Sequence, residues 1–346
     1  GMEMNNRIGK ALKDLFSRLN EAYNKGLDIS DYSGQYLKRY ISNSSYFISF
    51  YSQVLEKCLK SVNKPVGESV FVDYGGGCGI LSLAARLLDF KTVIYNDFNE
   101  KSLIDAQTIS KQTGISVDHF ICGDAGAFVD KVNELKIHPD VICSVDVIEH
   151  IYDLDSWLKF ISKLDNFNLI IVTGANSQNP LIKQKLKKKH IISEYHGCER
   201  NVRIDDTFFS TSFLEEREKI IRRKYLDLSE DEIKKLASES RGLRQEDVEN
   251  MVNRYLGSGI TEYHPDHPTN TCDPYTGSWA ERLIDFRKLK ETIENNGMEF
   301  EITNSFYCYS DDKLLNTIKK ALNLLIKISG PECLFLSPNV TIGIRK

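Results

Sequence analysis

The chain has 346 residues, 41% of them apolar and 27% charged, with a formal net charge of −4. This composition is ordinary for a globular protein, and the slight acid excess speaks against a wholesale nucleic-acid footprint, which usually brings a basic domain. No apolar run reaches the roughly 18 residues of a membrane span, so no membrane insertion is expected.

No leader with an n-region and h-region opens the chain, and Gly1 ahead of Met2 reads as a scar of tag removal. The eight cysteines (58, 78, 122, 143, 198, 272, 308 and 333) contain no Cys-x-x-Cys pair, which predicts reduced thiols and a cytoplasmic protein. Residues 4–62 read as helices, because Ile8, Leu12, Leu15, Phe16 and Leu19 recur at helical spacing, as do Phe47, Phe50, Val54 and Leu55. Tyrosines 32, 36, 40, 46 and 51 are dense here, and packing with surface coverage is the plainer account of them.

The stretch Val70-Phe-Val-Asp-Tyr-Gly-Gly-Gly-Cys-Gly-Ile-Leu-Ser82 predicts a buried strand ending in Asp73, a glycine turn and then a helix. Such a turn lets backbone pass close to a ligand and aims the free N–H groups of the helix at it. In the dinucleotide form, Gly-x-Gly-x-x-Gly/Ala, the third small residue would fall on Ile80. The spacing is instead Asp-x-Gly-x-Gly-x-Gly, with Asp73, Gly75, Gly77 and Gly79.

The next strand, Thr92-Val-Ile-Tyr-Asn-Asp97, ends in an acid 24 residues after Asp73. A carboxylate there can accept hydrogen bonds from both hydroxyls of a ribose. The third strand, His119-Phe-Ile-Cys122, runs into Gly123-Asp124-Ala125, and the fourth, Asp140 to Val145, into Asp146-Val-Ile-Glu-His150. Polar residues thus stand at four strand tips, which line the ligand crevice of an open parallel sheet. Any one of these acids alone is equally well explained as the N-cap of the helix that follows it.

Residues 73–150 resemble the cofactor half of the class I S-adenosylmethionine (SAM) methyltransferases, and Asp146-Val-Ile-Glu-His150 is similar to the small-molecule branch that includes quinone-biosynthesis enzymes. The resemblance implies SAM as cofactor, its methionine part held at Asp73, Gly75, Gly77 and Gly79, its ribose by Asp97 and its adenine between Asp124 and Ala125. Phe98 and Asp146 complete the implied cofactor residues. It further implies an α/β, Rossmann-like fold with a seven-stranded, mostly parallel sheet in the order 3-2-1-4-5-7-6, the seventh strand antiparallel. The later elements fit, with a fifth strand at Asn168–Thr173, a helix near 285–296, a strand at Met298–Thr303 and a closing strand at Asn339–Arg345. The implied organisation is a helical cap at 1–65 closing over SAM, a Rossmann-like core at 66–178, a helical insertion or lid at 179–282, and completion of the sheet by 283–346.

The insertion opens with Asn176-Ser-Gln-Asn-Pro180 and a basic run at Lys183, Lys185, Lys187, Lys188 and Lys189, most simply a solvated helix face. Helical segments are expected near 212–225, 229–240 and 245–256, the second opened by a capping box of Ser229 and Glu232. The loop Tyr263–Trp279 gathers His264, His267, three prolines and a tryptophan, a density of polar and aromatic groups that suits a pocket wall. Structural connection competes with that reading, as does a metal site of His264, His267 and Cys272, although their spacing is not diagnostic and no metal is expected.

Methyl transfer from a sulfonium chiefly needs alignment of the acceptor, and an O or N acceptor that carries a proton needs a base. His150 is the first candidate for that base, with His264 and His267 after it. The expected partner is a medium-sized small-molecule acceptor, with nucleic acid not expected. Still open are an RNA or protein methyltransferase, a nicotinamide-type oxidoreductase, and a catalytically silent SAM-fold partner protein. The Asn/Asp-Pro-Pro-Tyr/Phe tetrapeptide used for planar amino acceptors is replaced by Asp146-Val-Ile-Glu149.

Overall fold

The computed structural model describes residues 1–197, 201–202, 208–209, 211–331 and 333–346. Three helices open the chain: α1 (Met2–Lys25), α2 (Asp31–Ser42) and α3 (Ser44–Ser61). Alternation then sets in, with β1 (Val70–Tyr74), α4 (Ile80–Leu87), β2 (Thr92–Asp97), α5 (Glu100–Thr113), β3 (His119–Cys122), α6 (Ala125–Glu134), β4 (Val141–Val145), α7 (Leu154–Ile161) and β5 (Asn168–Thr173). The insertion contributes α8 (Pro180–Ile191), the two-residue strands β6 (Asn201–Val202) and β7 (Phe208–Phe209), α9 (Phe213–Lys224), α10 (Glu230–Glu239) and α11 (Gln245–Ser258). The chain ends with α12 (Phe286–Asn295), β8 (Glu299–Asn304), α13 (Lys313–Ser329) and β9 (Val340–Arg345).

The main sheet has seven strands in the order β3-β2-β1-β4-β5-β9-β8. Numbering only the strands of this sheet, that is 3-2-1-4-5-7-6, as expected. β1 to β5 pair in parallel, while β9 runs antiparallel to both β5 and β8. The reversal has a local cause. α13 does not carry the chain back across the sheet, and Asn304 donates to the carbonyls of Gly330 (2.9 Å) and Cys333 (3.0 Å), so β9 starts at the edge where β8 ended. On the outer strand β8 the exposed residues are Glu299 and Glu301, a charged edge that discourages further strand pairing.

All five residues of β1 are buried, and their alternation splits the core in two. Phe71 joins one cluster, whereas Val70, Val72 and Tyr74 join the other. The second cluster is closed by α6, α7 and α12. The first holds α4, α5 and also Ile8, Leu12, Leu15, Leu19, Phe47, Val54 and Leu55 of α1 and α3. The N-terminal helices therefore complete one face of the main core.

The insertion has a small core of its own. Ile220, Ile221, Ile233, Leu236, Val248, Met251 and Val252 meet where α9, α10 and α11 pack. Ser212 with Glu215 and Ser229 with Glu232 form capping boxes at α9 and α10. The fully buried Arg217 pairs with the buried Glu194, which stands in the turn after α8, and its Nε donates to the Ala237 carbonyl at 2.8 Å. Among the described cysteines, Cys58, Cys78, Cys143, Cys272 and Cys308 are buried and unpaired; Cys198 lies outside the described residues.

Candidate functional site

The strand order reverses direction at β1, which has β2 on one side and β4 on the other. In open α/β sheets the crevice opens at the carboxyl ends of the strands at such a point. The glycine turn occupies this place. Asp73 at the end of β1 is only 3% exposed and accepts from the Ser82 N–H (3.0 Å) and hydroxyl (2.8 Å), tying β1 to the first turn of α4. Burial pushes its carboxyl up to about 7, against the opposing pull of the two Ser82 bonds.

Two glycines show opposite constraints. A Cβ on Gly76 would stand 2.5 Å from Tyr95 Cε2 and 2.9 Å from an Asp73 oxygen, so the ring of Tyr95 requires glycine there. A Cβ on Gly77 would meet nothing within 4 Å, and its φ of +53° is the only local reason for glycine. Gly77 donates its N–H to Asp97 (3.0 Å) and accepts from the Tyr95 hydroxyl (2.6 Å), which fixes an open-sided backbone directly beside the Asp97 carboxylate. Gly75 and Gly79 flank it, also with left-handed backbone.

Asp97 is buried and accepts from Gly77 and, with its other oxygen, from the Asn99 N–H at 2.9 Å. Burial raises its pKa, and the backbone donors of Asn99, Gly77 and Phe98 work against that rise. Each oxygen keeps a second lone pair, so the carboxylate retains capacity for a diol. Phe98 follows with 65% of its surface exposed. Asp124 serves as N-cap of α6, accepting from Ala127 N–H at 2.9 Å, and Ala125 is buried behind it.

The exit of β4 is more strained. Asp146 has a φ of +53°, held by its N–H to the Val172 carbonyl (2.8 Å) and by its side chain accepting from Gly174 N–H (3.0 Å). Its side chain is open to the crevice, yet the depth of the site pushes its carboxyl up. Glu149 is buried, with one carboxyl oxygen lacking a partner, and burial followed by the neighbouring Asp146 holds it well above the usual carboxylate range. Such a pair shares protons and favours a neutral Glu149.

His150 Nδ1 lies 2.8 Å from the Trp279 carbonyl, which can only accept. In the neutral ring this contact puts the proton on Nδ1 and leaves Nε2 as the acceptor. The same loop docks on the β4 exit through Trp279 N–H to His150 O (3.3 Å), Arg282 N–H to Glu149 O (3.2 Å) and the Trp279 indole to Tyr152 O (3.2 Å).

His264 and His267 belong to the other half of that loop. His264 is exposed. His267 Nδ1 accepts from Thr269 N–H (3.2 Å), and Thr269 bonds His190 of α8 (3.1 Å). Burial first, then Lys187 and Lys183, lower the His267 pKa, which places it against the basic helix α8. The bonds of His150 thus lead to the strand tips, whereas those of His267 lead to the insertion.

The tyrosine-rich segment packs against the glycine turn and α5. Cys78 in the glycine turn contacts the Ser33 carbonyl of α2 (3.6 Å), and Ser30 at the start of α2 donates to Asp105 of α5 (2.5 Å). Tyr32 and Tyr36 have ring centroids 5.1 Å apart, Tyr36 and Tyr40 6.3 Å, and Tyr40 and Tyr51 6.3 Å. Burial raises the Tyr32 phenol, with Tyr36 and then Asp97 adding to it; burial raises Tyr51 too, with Asp146 and Asp73 contributing. The row therefore runs from the Asp97 end to the Asp146 end. Glu149 and the closeness of Tyr32 and Tyr51 to these acids escaped the sequence reading. The tyrosine spacing was its only signal, and Glu149 stood unmarked inside a quoted motif.

No protein-family model matches the chain, and no curated protein matches it. Solved structures with similar outlines include a SAM-dependent methyltransferase from Clostridium acetobutylicum (13% identity, 84% of this chain and 88% of that one, TM-score 0.41). Another is a SAM-dependent methyltransferase from Mesorhizobium loti (13% identity, 84% and 96%, TM-score 0.37). A third is the plantazolicin methyltransferase BamL in complex with a triazolic desmethylPZN analog and SAH (10% identity, 98% and 97%, TM-score 0.41).

Proposed function

We propose that the chain is a SAM-dependent methyltransferase acting on an O or N atom of a medium-sized small molecule. The observation that carries this reading is the open-sided backbone at Gly77 bonded to the buried Asp97, at the point where the strand order reverses. A nucleoside fits there, with its ribose on Asp97, its adenine near Phe98, Asp124 and Ala125, and its amino-acid end along the glycine turn beside Asp146. SAM, when bound, supplies an electrophilic methyl group on a sulfonium. The chain's own part is to orient the acceptor and exclude water, through the tyrosines of α2 and α3 on one side and the Trp279–Arg282 segment on the other. His150, whose Nδ1 is engaged by the Trp279 carbonyl, keeps Nε2 for taking a proton from the acceptor when the ring is neutral. The third glycine position of the dinucleotide pattern is the buried Ile80, which favours this reading over a nicotinamide site.

Calorimetric titration of the wild type and of Asp97→Ala with SAM, and separately with NADH, tests the assignment. SAM is expected to bind and NADH not, with the Ala variant weakened about 10- to 150-fold through loss of charge-assisted bonds worth roughly 1.5–3 kcal/mol. Unchanged SAM affinity in Asp97→Ala, or binding of NADH alone, overturns it.

A further inference from the structure

Helix α13 presents an apolar face to solvent. Leu314 is 76% and Ile328 73% exposed, with Leu315, Ile318, Leu324 and Leu325 exposed between them, and Ile326 is the only buried residue of the helix. Leu314, Ile318, Ala321, Leu325 and Ile328 follow each other at intervals of four and three, which gathers them on one side. The opposite side is fastened to the protein. Asn323 exchanges hydrogen bonds with the backbone of Tyr307 (2.7 and 3.0 Å), and Asn316 does so with that of Ser310 (3.0 and 2.6 Å). The apolar stripe therefore points outward. Phe306, Tyr309 and Phe335 elsewhere in the closing segment are exposed as well.

Lys313, Lys320 and Lys327 stand seven residues apart along one border of this stripe, and α13 contains no Asp or Glu. No ion pair involves these three lysines among the described residues, whereas Lys319 lies over the Tyr46 ring at 5.8 Å. The nearby acids stand ahead of the first turn, where Asp312 caps the helix through Leu315 N–H and Asp311 accepts from Ser45 (3.1 Å). A second copy of the helix would add three more unneutralised lysines and no carboxylate. An anionic surface supplies the missing charge and, if lipid, also the apolar medium. Among the described residues no helix is long and apolar enough to cross a membrane, so the contact is one of lying on the surface.

We propose that α13 docks the protein on an anionic lipid surface, its leucine and isoleucine stripe entering the headgroup boundary and Lys313, Lys320 and Lys327 meeting lipid phosphates. Lys319 over the Tyr46 ring sets the docked helix beside α3. The inference does not depend on the chemistry of the crevice.

Vesicle flotation with the full chain tests it, using vesicles of phosphatidylcholine with about one-third phosphatidylglycerol and vesicles of phosphatidylcholine alone. The wild type is expected to float with the anionic vesicles and be released by salt. Lys313→Gln/Lys320→Gln/Lys327→Gln should weaken partitioning about 100-fold, roughly fivefold per lysine near a charged surface. Leu314→Ser/Ile318→Ser/Leu325→Ser should abolish it with no drop in thermal midpoint, because these side chains are already exposed. No flotation of the wild type, or equal flotation with both vesicle types, overturns the proposal. A concentration-dependent dimer in sedimentation velocity that the serine variant dissolves also overturns it, and makes a second copy the occupant.

Discussion

At the scale of single residues, the glycine turn separates folding from binding. Gly76 faces the ring of Tyr95 and the carboxylate of Asp73, both within 3 Å of an added Cβ. Gly76→Ala should therefore cost about 1–3 kcal/mol through overpacking and lower the thermal midpoint. Gly77 has open space, so Gly77→Ala should lose only the ~1 kcal/mol of a left-handed alanine while crowding the bound cofactor. Thermal melts and SAM titration of the two variants are expected to diverge; a Gly77→Ala protein that binds SAM as the wild type does would remove that residue from the site. Asp73 allows a second measurement. Its carboxyl rises from 3.8 to about 7 on folding, so the folded state holds its proton more tightly than the unfolded chain. The stability it contributes is complete below about pH 3.8 and is lost as pH climbs through about 7. Asp73→Asn keeps an acceptor for Ser82 and has no such titration. Chemical denaturation at pH 5 and pH 8 should show the wild type losing a few kcal/mol more than the variant across that window. Equal losses would mean that Asp73 is not desolvated as the packing indicates.

At the scale of elements, the strands and helices of the parallel half were legible because each carries its own signal. β1 is a continuous apolar run bounded by glycine, and β5 spans Asn168–Thr173 as expected. The insertion helices α9, α10 and α11 begin within a residue or two of their expected places, and Ser229 announces the second. The capping box at Ser212 was present in the sequence and went unread. α13 was missed altogether, although its four-and-three spacing is plain once sought. An outward apolar stripe contradicts the ordinary rule that such a face finds a core. The loop of His264 and His267 was legible as a loop rich in function-bearing residue types. Its division into one half bonded to His150 and another bonded to α8 depends on contacts across 129 and 79 residues of chain, which spacing does not encode.

At the scale of the whole molecule, the N-terminal helices make up part of the main core, and α2 also packs against the glycine turn. α1 and α3 bury Ile8, Leu12, Leu15, Leu19, Val54 and Leu55 in one cluster with Phe71, Phe90 and Val141 of the sheet layer. Each such side chain, once exposed, costs about 1.5–3 kcal/mol, so loss of the set is as large as the roughly 5–15 kcal/mol stability of an ordinary domain. Removal of residues 1–61 is accordingly expected to give aggregated chain, whereas a separable cap would leave a cooperative melting transition. A truncated protein that melts cooperatively and binds SAM would show that the cap is dispensable. The sequence by itself determined the alternation of strands and helices, the glycine turn and the acids at the strand tips, because apolar period, turn chemistry and caps act over a few neighbouring residues. Tertiary structure alone decided the Trp279 partner of His150, the raised carboxyl of Glu149, the closeness of Tyr32 and Tyr51 to the acids and the outward turn of α13. These depend on which distant segments exclude water from a group or leave it in contact, and that is settled only when the layers close.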